Sequence, residues 1–288
     1  MQIIRELLTV PKQTGDVGIE IEVEGKQLPV HELGYWRREV DGSLRGESAE
    51  YVLRKPLNLE AAGKALGELD KAYKDCKSKV SNSVRAGVHV HVNVQHMTVN
   101  QLVNFIVTYL IVEDVLVKWC GKSREGNLFC LRCKDAEAWL QNLEYAIVDD
   151  NLKLLHSDLI RYSSINLKSL CQYGSVEFRA MRGTRDLDKI LIWAELLVSI
   201  REFACSYENP MKLMEDCLSN IEEFVGKVLG KHFGEFHYEG YMADVNKAIR
   251  YANDVAHFSN WQPIKKKLIG GLAFPETVIF PDEPFEDF

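Results

Sequence analysis

The sequence predicts an α+β fold: an antiparallel sheet with helices packed on one face, and a helical part at the C-terminal end. Segments in which apolar and polar residues alternate all lie before residue 181, which indicates strands with one buried face. Amphipathic segments of helical period lie between them at irregular intervals. No glycine-rich turn joins a strand to a helix, and this argues against a doubly wound nucleotide-binding sheet.

These patterns place the individual elements along the chain. Strands are predicted at residues 18–25, 49–53, 85–94, 163–167 and 174–180. Helices are predicted at residues 59–79, 98–119, 135–148, 186–207, 210–230 and 241–256. Residues 34–46 contain Asp41-Gly42 and are expected to form an irregular turn region, and the acidic tail 274–288 is expected to be partly extended. We expect a core over residues 1–208 and a C-terminal helical extension over 209–288, packed on the same domain.

Charge and apolar patterning argue against several classes of partner and site. The net charge of −7 disfavours a nucleic acid polymer, because an acidic surface repels phosphates. The most apolar stretch, 102–119, contains Glu113 and Asp114, which favours a buried helix over a membrane span. The N-terminal residues lack a secretory pattern, so we expect a cytoplasmic protein with reduced thiols. The single C-x-x-C pair, Cys130 and Cys133, has no second pair at zinc-site spacing.

Three of the predicted strands carry ligating or charged side chains along one face. Residues two apart on a strand point the same way, so each strand has an apolar face and a polar face. The polar faces hold Glu20, Glu22 and Glu24; His89, His91 and Asn93; and Glu177 and Arg179. Each pattern alone is typical of a solvated edge, a hydrogen-bonded histidine or a cross-strand ion pair. Their matched parity on separate strands indicates one common site.

Such side chains suit divalent cations and phosphate. Carboxylate oxygens are the ligands that Mg²⁺ prefers, and a neutral imidazole also binds divalent metals. Guanidinium groups bind phosphate oxygens through paired hydrogen bonds. Five arginines lie in or beside the predicted strands: Arg85, Arg161, Arg179, Arg182 and Arg185. In an acidic protein this concentration of arginine predicts a local anion site.

At these residues the sequence resembles the amidoligase family, part of the carboxylate–amine ligase superfamily that includes glutamine synthetase and glutamate–cysteine ligase. The resemblance covers residues 17–206 and rests on motifs in the same order: GIEIEVE at 18–24, DGSL at 41–44, AEYVLRKPL at 49–57, GVHVHVN at 87–93, RYSSINL at 161–167 and GSVEFRAMRGT at 174–184. Order and spacing make the combined match more specific than any single motif. The resemblance implies a glutamine-synthetase-like catalytic core, a partial barrel, within residues 1–208.

The resemblance also implies cofactors and residue roles. The implied cofactors are ATP and Mg²⁺, with Mn²⁺ as an alternative to Mg²⁺. The implied metal ligands are Glu20, Glu22, Glu50, His89 and Glu177, with Glu47 left open as the alternative to Glu50. The implied catalytic residues, which contact phosphate or substrate, are His91, Arg161 and Arg179, and the implied cofactor-binding set adds Asn93 and Arg182.

The implied function is an ATP- and Mg²⁺-dependent ligase that forms an amide bond through an acyl phosphate. Glu20, His89 and Glu177 are expected to hold one cation near the transferred phosphoryl group, and Glu22 and Glu50 are expected to hold another. The substrates are expected to be small-molecule or peptide carboxylates and amines, with no membrane or nucleic acid partner. The oligomeric state is left open.

Other readings of the same residues compete with the ligase. A metal-dependent hydrolase would use His89, His91 and a carboxylate around zinc or iron. A non-catalytic relative would bind nucleotide or metal without turnover. In a structural protein, each motif would be only a solvated strand edge, a hydrogen-bonded histidine or a cross-strand ion pair. The arginines favour the ligase over a simple hydrolase, and the retained acids favour an active protein over a non-catalytic one.

Overall fold

The computed structural model of this chain describes residues 2–269, with side chains to residue 258. The strands are β1 Val17–Lys26, β2 Trp36–Glu39, β3 Ser48–Leu53, β4 Lys79–Ser81, β5 Gly87–Asn93, β6 Ile165–Asn166 and β7 Ser175–Arg182. The helices are α1 Ile4–Leu8, α2 Leu59–Asp75, α3 Val99–Cys120, α4 Glu137–Val148, α5 Lys168–Tyr173, α6 Leu187–Cys205, α7 Pro210–Ser219, α8 Ile221–Leu229, α9 Phe233–Phe236 and α10 Tyr241–Ile269. The predicted extended tail, 274–288, lies outside the described residues.

The strands form one antiparallel sheet, so the predicted α+β class is confirmed. Its order is β2-β3-β1-β5-β7-β6, and β4 pairs with the C-terminal end of β1 beyond the reach of β5. The sheet is open within the described residues. The narrower expectation of a glutamine-synthetase-like partial barrel stays a prediction, as does the division of the chain at residue 208.

The apolar face of the sheet packs against helices because alternation puts all its branched aliphatic residues on one side. In β1, residues Val17, Ile19, Ile21 and Val23 are all buried. Helices α3 and α6 cover this face, and α2 packs beside α6. Burying these side chains supplies the stability of the sheet, at roughly 25 cal/mol for each Å² of apolar surface removed from water.

Helix α3 is buried on almost every side because it lies between the sheet and the C-terminal helices. The rings of Phe105 and Tyr109 pack against Phe178 of β7 in tilted arrangements, while α10 and α7 pack on other parts of α3. Its acids have partners: Glu113 accepts a hydrogen bond from the Cys133 backbone, and Asp114 pairs with lysine and arginine side chains. Within the described residues no helix has the length and apolar content needed to cross a membrane.

Several elements differ from the predicted ones, and each difference has a local cause. Residues 36–39 form β2 inside the expected irregular region, because buried Trp36 donates from its indole nitrogen to the Ala65 carbonyl. The helix expected to reach residue 79 ends at Asp75, because Lys77 has a φ of 53° and begins the turn into β4. The helix expected at 210–230 is interrupted at Asn220, whose side chain caps α8.

We predict opposite stability effects for two glycine-to-alanine substitutions. In Gly25→Ala the new methyl group would meet the Lys79 carbonyl oxygen and would lie 2.9 Å from Val80 Cα, because β4 passes close to β1 there. This overpacking should lower the free energy of unfolding by about 1–3 kcal/mol.

The control is Gly67→Ala in the middle of α2, where a new methyl group meets no atom within 4 Å. It should raise the free energy of unfolding by about 0.5–1 kcal/mol, since glycine is unfavourable within a helix. Urea denaturation measures both. Equal stability of Gly25→Ala and the unsubstituted protein would contradict the close approach of the two strands.

Candidate active site

Strand register brings the predicted polar residues to one surface. Glu20 of β1 lies opposite His89 of β5, and His91 of β5 lies opposite Glu177 of β7. On the other side of β1, Glu22 lies opposite Glu50 of β3. Directly opposed residues share a face of the sheet, so these side chains all project from the face opposite the apolar core.

A β-bulge in β7 sets the position of Arg179. Val90 pairs with Phe178 while Val88 pairs with Met181, so two residues of β7, Arg179 and Ala180, lie opposite His89 alone. A bulge leaves backbone groups without ladder partners. Here a buried arginine, Arg124, supplies them: Nη2 donates to the Arg179 carbonyl at 2.7 Å and Nε donates to the Ala180 carbonyl at 3.2 Å. The bulge is therefore held in place by a side chain from outside the sheet.

His89 lies at the centre of the surface and is buried. Its Nδ1 lies 3.2 Å from Glu20 Oε2 and 3.6 Å from Glu177 Oε1. Its Nε2 lies 3.7 Å from Glu22 Oε1. The three residues expected to share one cation, Glu20, His89 and Glu177, thus converge within a few ångströms.

The potential metal ligands fall into overlapping groups. Within the described residues, ligand atoms lie within 4.8 Å of one another in three groups: Glu20, His91 and Glu177; Glu20, Glu50 and His89; Glu22, Asp41 and Glu50. This grouping differs from the expected one, because Glu177 shares its group with His91, which we had expected to contact phosphate or substrate. Glu20 and Glu50 each belong to two groups, so the groups form a continuous row across the sheet.

The carboxylates of this row are too many for the positive charge around them. Burial, followed by repulsion from Glu20 and Glu22, raises the pKa of Glu50 to about 8. Burial also raises the pKa of Glu22. The charged form of these two acids is therefore not fully stabilised by the groups around it, and such hard oxygen donors fit Mg²⁺ or Mn²⁺.

Two other acids of the row, Glu20 and Glu177, are stabilised in their charged form. Burial alone would raise the pKa of Glu20, but hydrogen bonds from His89 and His91 hold it well below its usual value. Burial would likewise raise the pKa of Glu177, but the charge of Arg179 lowers it. Glu177 accepts hydrogen bonds from Arg179 Nη1 and, at 2.5 Å, from Asn166 Nδ2 of β6.

The remaining predicted residues have different surroundings. Arg161 stacks on Tyr162 and lines a cavity beside His89. Asn93 lines a second cavity, but its amide group bonds to the Gly15 carbonyl and the Gln95 backbone nitrogen. Arg182 is exposed beside Gly121 and lines neither of these cavities.

The structure also bears on the choice between Glu50, which lies in β3, and Glu47, which precedes it. Glu50 belongs to two of the ligand groups, whereas exposed Glu47 belongs to none of those found in the described residues. Glu24 accepts a hydrogen bond from the Arg45 backbone at the end of β1. The geometry therefore favours Glu50 over Glu47, while the role of each residue stays a prediction.

Three residues of the site were missed by the sequence reasoning. Asp41 joins a ligand group, Asn166 orients Glu177, and Arg124 holds the bulge. Asp41 and Asn166 do stand in the DGSL and RYSSINL motifs, so the motifs carried a usable signal. Arg124 stands outside every motif, and only its burial reveals it.

Two cavities adjoin the carboxylate row. The larger, about 350 Å³, is lined by Glu20, Glu50 and His91 together with Leu53, Pro56 and Tyr173, among others. The smaller, about 260 Å³, is lined by Glu22, Asp41, Ser43, Arg85, His89, Arg124, Phe129, Arg161, Tyr162 and Arg179. One cavity is thus partly apolar, and the other is rich in arginine.

A comparison with protein families agrees with this arrangement. Residues 17–201, more than half of the chain, match the family model described as "Putative amidoligase enzyme". The matched segment contains every acid and histidine of the ligand groups. No protein with a curated description matches the chain.

We predict that binding of a divalent cation to the carboxylate row releases about one proton at pH 7. Glu50, with a pKa of about 8, is mostly protonated at that pH and must ionise to act as a ligand. The apparent affinity for Mn²⁺ should therefore rise between pH 6 and pH 8. Calorimetric titration with Mn²⁺ in buffers of different ionisation enthalpy measures the number of protons released.

The matched variants for this experiment are Glu50→Gln and Glu24→Gln. Glu50→Gln should abolish the proton release, whereas Glu24→Gln, which changes an acid outside the ligand groups, should retain it. Proton-neutral binding of Mn²⁺ by the unsubstituted protein would contradict the assignment of a protonated Glu50.

Proposed function

We propose that this chain, which belongs to the amidoligase family, is an ATP-dependent carboxylate–amine ligase that uses Mg²⁺ or Mn²⁺. The observation that carries the proposal is the row of carboxylates and histidines beside Arg179, together with the two cavities that adjoin this row. Such a row is unfavourable by itself, because buried like charges repel and lose hydration. Cations and phosphate groups together would relieve both costs.

The chemistry requires activation of the carboxylate. A carboxylate oxygen is a poor leaving group, so an acid does not acylate an amine unaided. In the proposed reaction an oxygen of the substrate carboxylate attacks the terminal phosphorus of ATP, and ADP leaves. The amine nitrogen then attacks the acyl carbon of the acyl phosphate, inorganic phosphate leaves with the C–O bond electrons, and the nitrogen gives up a proton.

The donor set supports cation binding at this site. The ions would be held by the carboxylates and histidines of the three ligand groups: Glu20, Glu22, Asp41, Glu50, His89, His91 and Glu177. A bound divalent cation neutralises phosphate oxygens and orients them for in-line transfer. The raised pKa of Glu50 is the property of this chain that best fits such binding, because a cation would restore its charged form.

Arg179 is the proposed partner of the transferred phosphoryl group. Nη1 is paired with Glu177, which fixes the direction of the guanidinium, and the bulge carbonyl beside it is fixed by Arg124. The buried Nε has no hydrogen-bond partner within the described residues, so it is free to donate to an oxygen of the ligand. A preorganised donor of this kind stabilises developing charge without reorganisation in the transition state.

The larger cavity is the proposed nucleotide site. Val52, Leu53, Pro56 and Tyr173 give it an apolar part suited to a base, and Glu20 and His91 at its inner end belong to the ligand groups that would face the phosphates. The smaller cavity then remains for the acid substrate, next to the same row.

The competing hydrolase has weaker support. A hydrolytic zinc or iron site would combine His89 and His91 with a carboxylate. Within the described residues, however, the two histidines fall in different ligand groups: His89 with Glu20 and Glu50, His91 with Glu20 and Glu177. The arginines around the smaller cavity would also have no function in a simple hydrolase.

We predict that Glu177→Gln lowers the rate of ADP formation by at least about 100-fold, because it removes one ligand and releases Arg179 from its fixed position. ADP release is measured with ATP and Mg²⁺ against a panel of small-molecule and peptide acids and amines. The control Glu24→Gln should keep full activity.

Two results would contradict the proposal in different ways. Unchanged turnover in Glu177→Gln would reject the role of Glu177. Metal-dependent hydrolysis without ATP consumption would favour the hydrolase instead.

A further inference from the structure

Three of the four arginines that line the smaller cavity have no acidic partner among the described residues, and the fourth, Arg179, pairs with Glu177. Arg85, Arg124 and Arg161 line the cavity, and none of them forms an ion pair with any carboxylate in the part of the chain that the structure describes. By contrast, Arg37 and Arg54, which line the larger cavity, pair with Glu39 and Glu32. Unpaired guanidinium groups around one cavity are typical of a site that receives an anion.

Arg124 is the most constrained of the three. Its residue is 1% exposed, and Nε and Nη2 are used by the bulge carbonyls. Its Nη1 is buried and has no hydrogen-bond partner within residues 2–258. A buried charged donor without a partner is costly, so this nitrogen is expected to have a partner in the ligand-bound protein.

Aromatic rings position the other two guanidinium groups without neutralising them. Arg85 lies over Phe129 at 5.6 Å and Arg161 lies over Tyr162 at 4.8 Å, and the two rings contact each other at 6.2 Å. Cation–π contacts hold a guanidinium flat while its N–H groups remain available. Phe129 and Tyr162 therefore form an aromatic shelf that holds two positive charges at the cavity wall.

The smaller cavity is lined by four arginines but only two acids. The acids that line it, Glu22 and Asp41, belong to the proposed cation site, and Asp41 also accepts a hydrogen bond from the Ser43 backbone. The lining of the cavity therefore carries more positive than negative charge.

We propose that the arginines Arg85, Arg124 and Arg161 bind a second carboxylate of the acid substrate, which makes the substrate a dicarboxylic acid or a larger acid with two carboxylates. The inference rests on the proposed function. The reacting carboxylate would lie beside Glu22, His89 and Arg179, and the second carboxylate would accept hydrogen bonds from the unpaired arginines. The triphosphate of ATP is the other anion that these arginines can bind, and the experiment separates the two.

The experiment measures ligand binding by calorimetry, without amine and therefore without turnover. The ligands are succinate, glutarate and adipate, each paired with its monomethyl ester, and separately ATP with Mg²⁺. Each ester keeps the length of the acid and removes one charge. The variants are Arg161→Met and Arg85→Met, with Arg37→Met in the larger cavity as the matched control.

The unsubstituted protein should bind at least one diacid about 10-fold or more tightly than its ester, since the ester cannot form charge-assisted hydrogen bonds with the arginines. Arg161→Met and Arg85→Met should each weaken diacid binding by about 10-fold and leave ATP binding unchanged. Arg37→Met should leave diacid binding unchanged. Arg124→Met should abolish the preference for the diacid. This variant also loses the hydrogen bonds to the bulge carbonyls. If it does not fold, Arg85→Met and Arg161→Met decide the test.

Three results would overturn the inference: no preference for any diacid over its ester, weaker ATP binding in Arg161→Met with diacid binding unchanged, or equal loss of diacid binding in Arg37→Met. The proposed function fails separately. Tight diacid binding with no acid-dependent ADP formation would keep the carboxylate pocket and reject the ligase.

Discussion

Repulsion among carboxylates on one face of the sheet is the constraint on which the rest of the structure depends. Glu20, Glu22, Glu50 and Glu177 lie close enough to share histidines, and the pKa of Glu50 rises to about 8 because its neighbours and its burial disfavour the charge. Such an arrangement is stable only if other groups fix the side chains and supply positive charge. The charge of Arg179 supplies part of it, and the proposed cations would provide the remainder.

The apolar side of the same strands supplies the rigidity. Ile19, Ile21 and Val23 alternate with the acids of β1, so the residues that pack on α3 and α6 fix the spacing of those that face the site. A one-residue slip would reverse the two faces, and the buried core therefore specifies the register of the ligands. The β7 bulge is the exception to this regularity, and it is secured by Arg124 rather than by sheet pairing.

The distribution of arginine gives the two cavities different chemistry. In the larger cavity Arg37 and Arg54 form ion pairs with neighbouring acids, whereas two arginines of the smaller cavity, Arg85 and Arg161, lie over aromatic rings. In an acidic protein with a net charge of −7, these arginines would attract an anion to the smaller cavity. Substrate orientation would follow from that asymmetry, with nucleotide and acid approaching the carboxylates from different cavities.

The sequence by itself predicted the α+β class and, apart from Asp41, the acids and histidines of the candidate site, because alternation with period two records directly which side chains share a face. The order of its motifs indicated the family. The sequence also placed Glu20, His89 and Glu177 together, since their strands had matched parity. The tertiary structure decided how those residues group, and it brought in Asp41, Asn166 and Arg124. Local patterns carry no information about register between strands, about a bulge, or about a loop arginine whose partners lie 55 and 56 residues away along the chain. Those relations depend on long-range packing, and so only the folded chain reveals them.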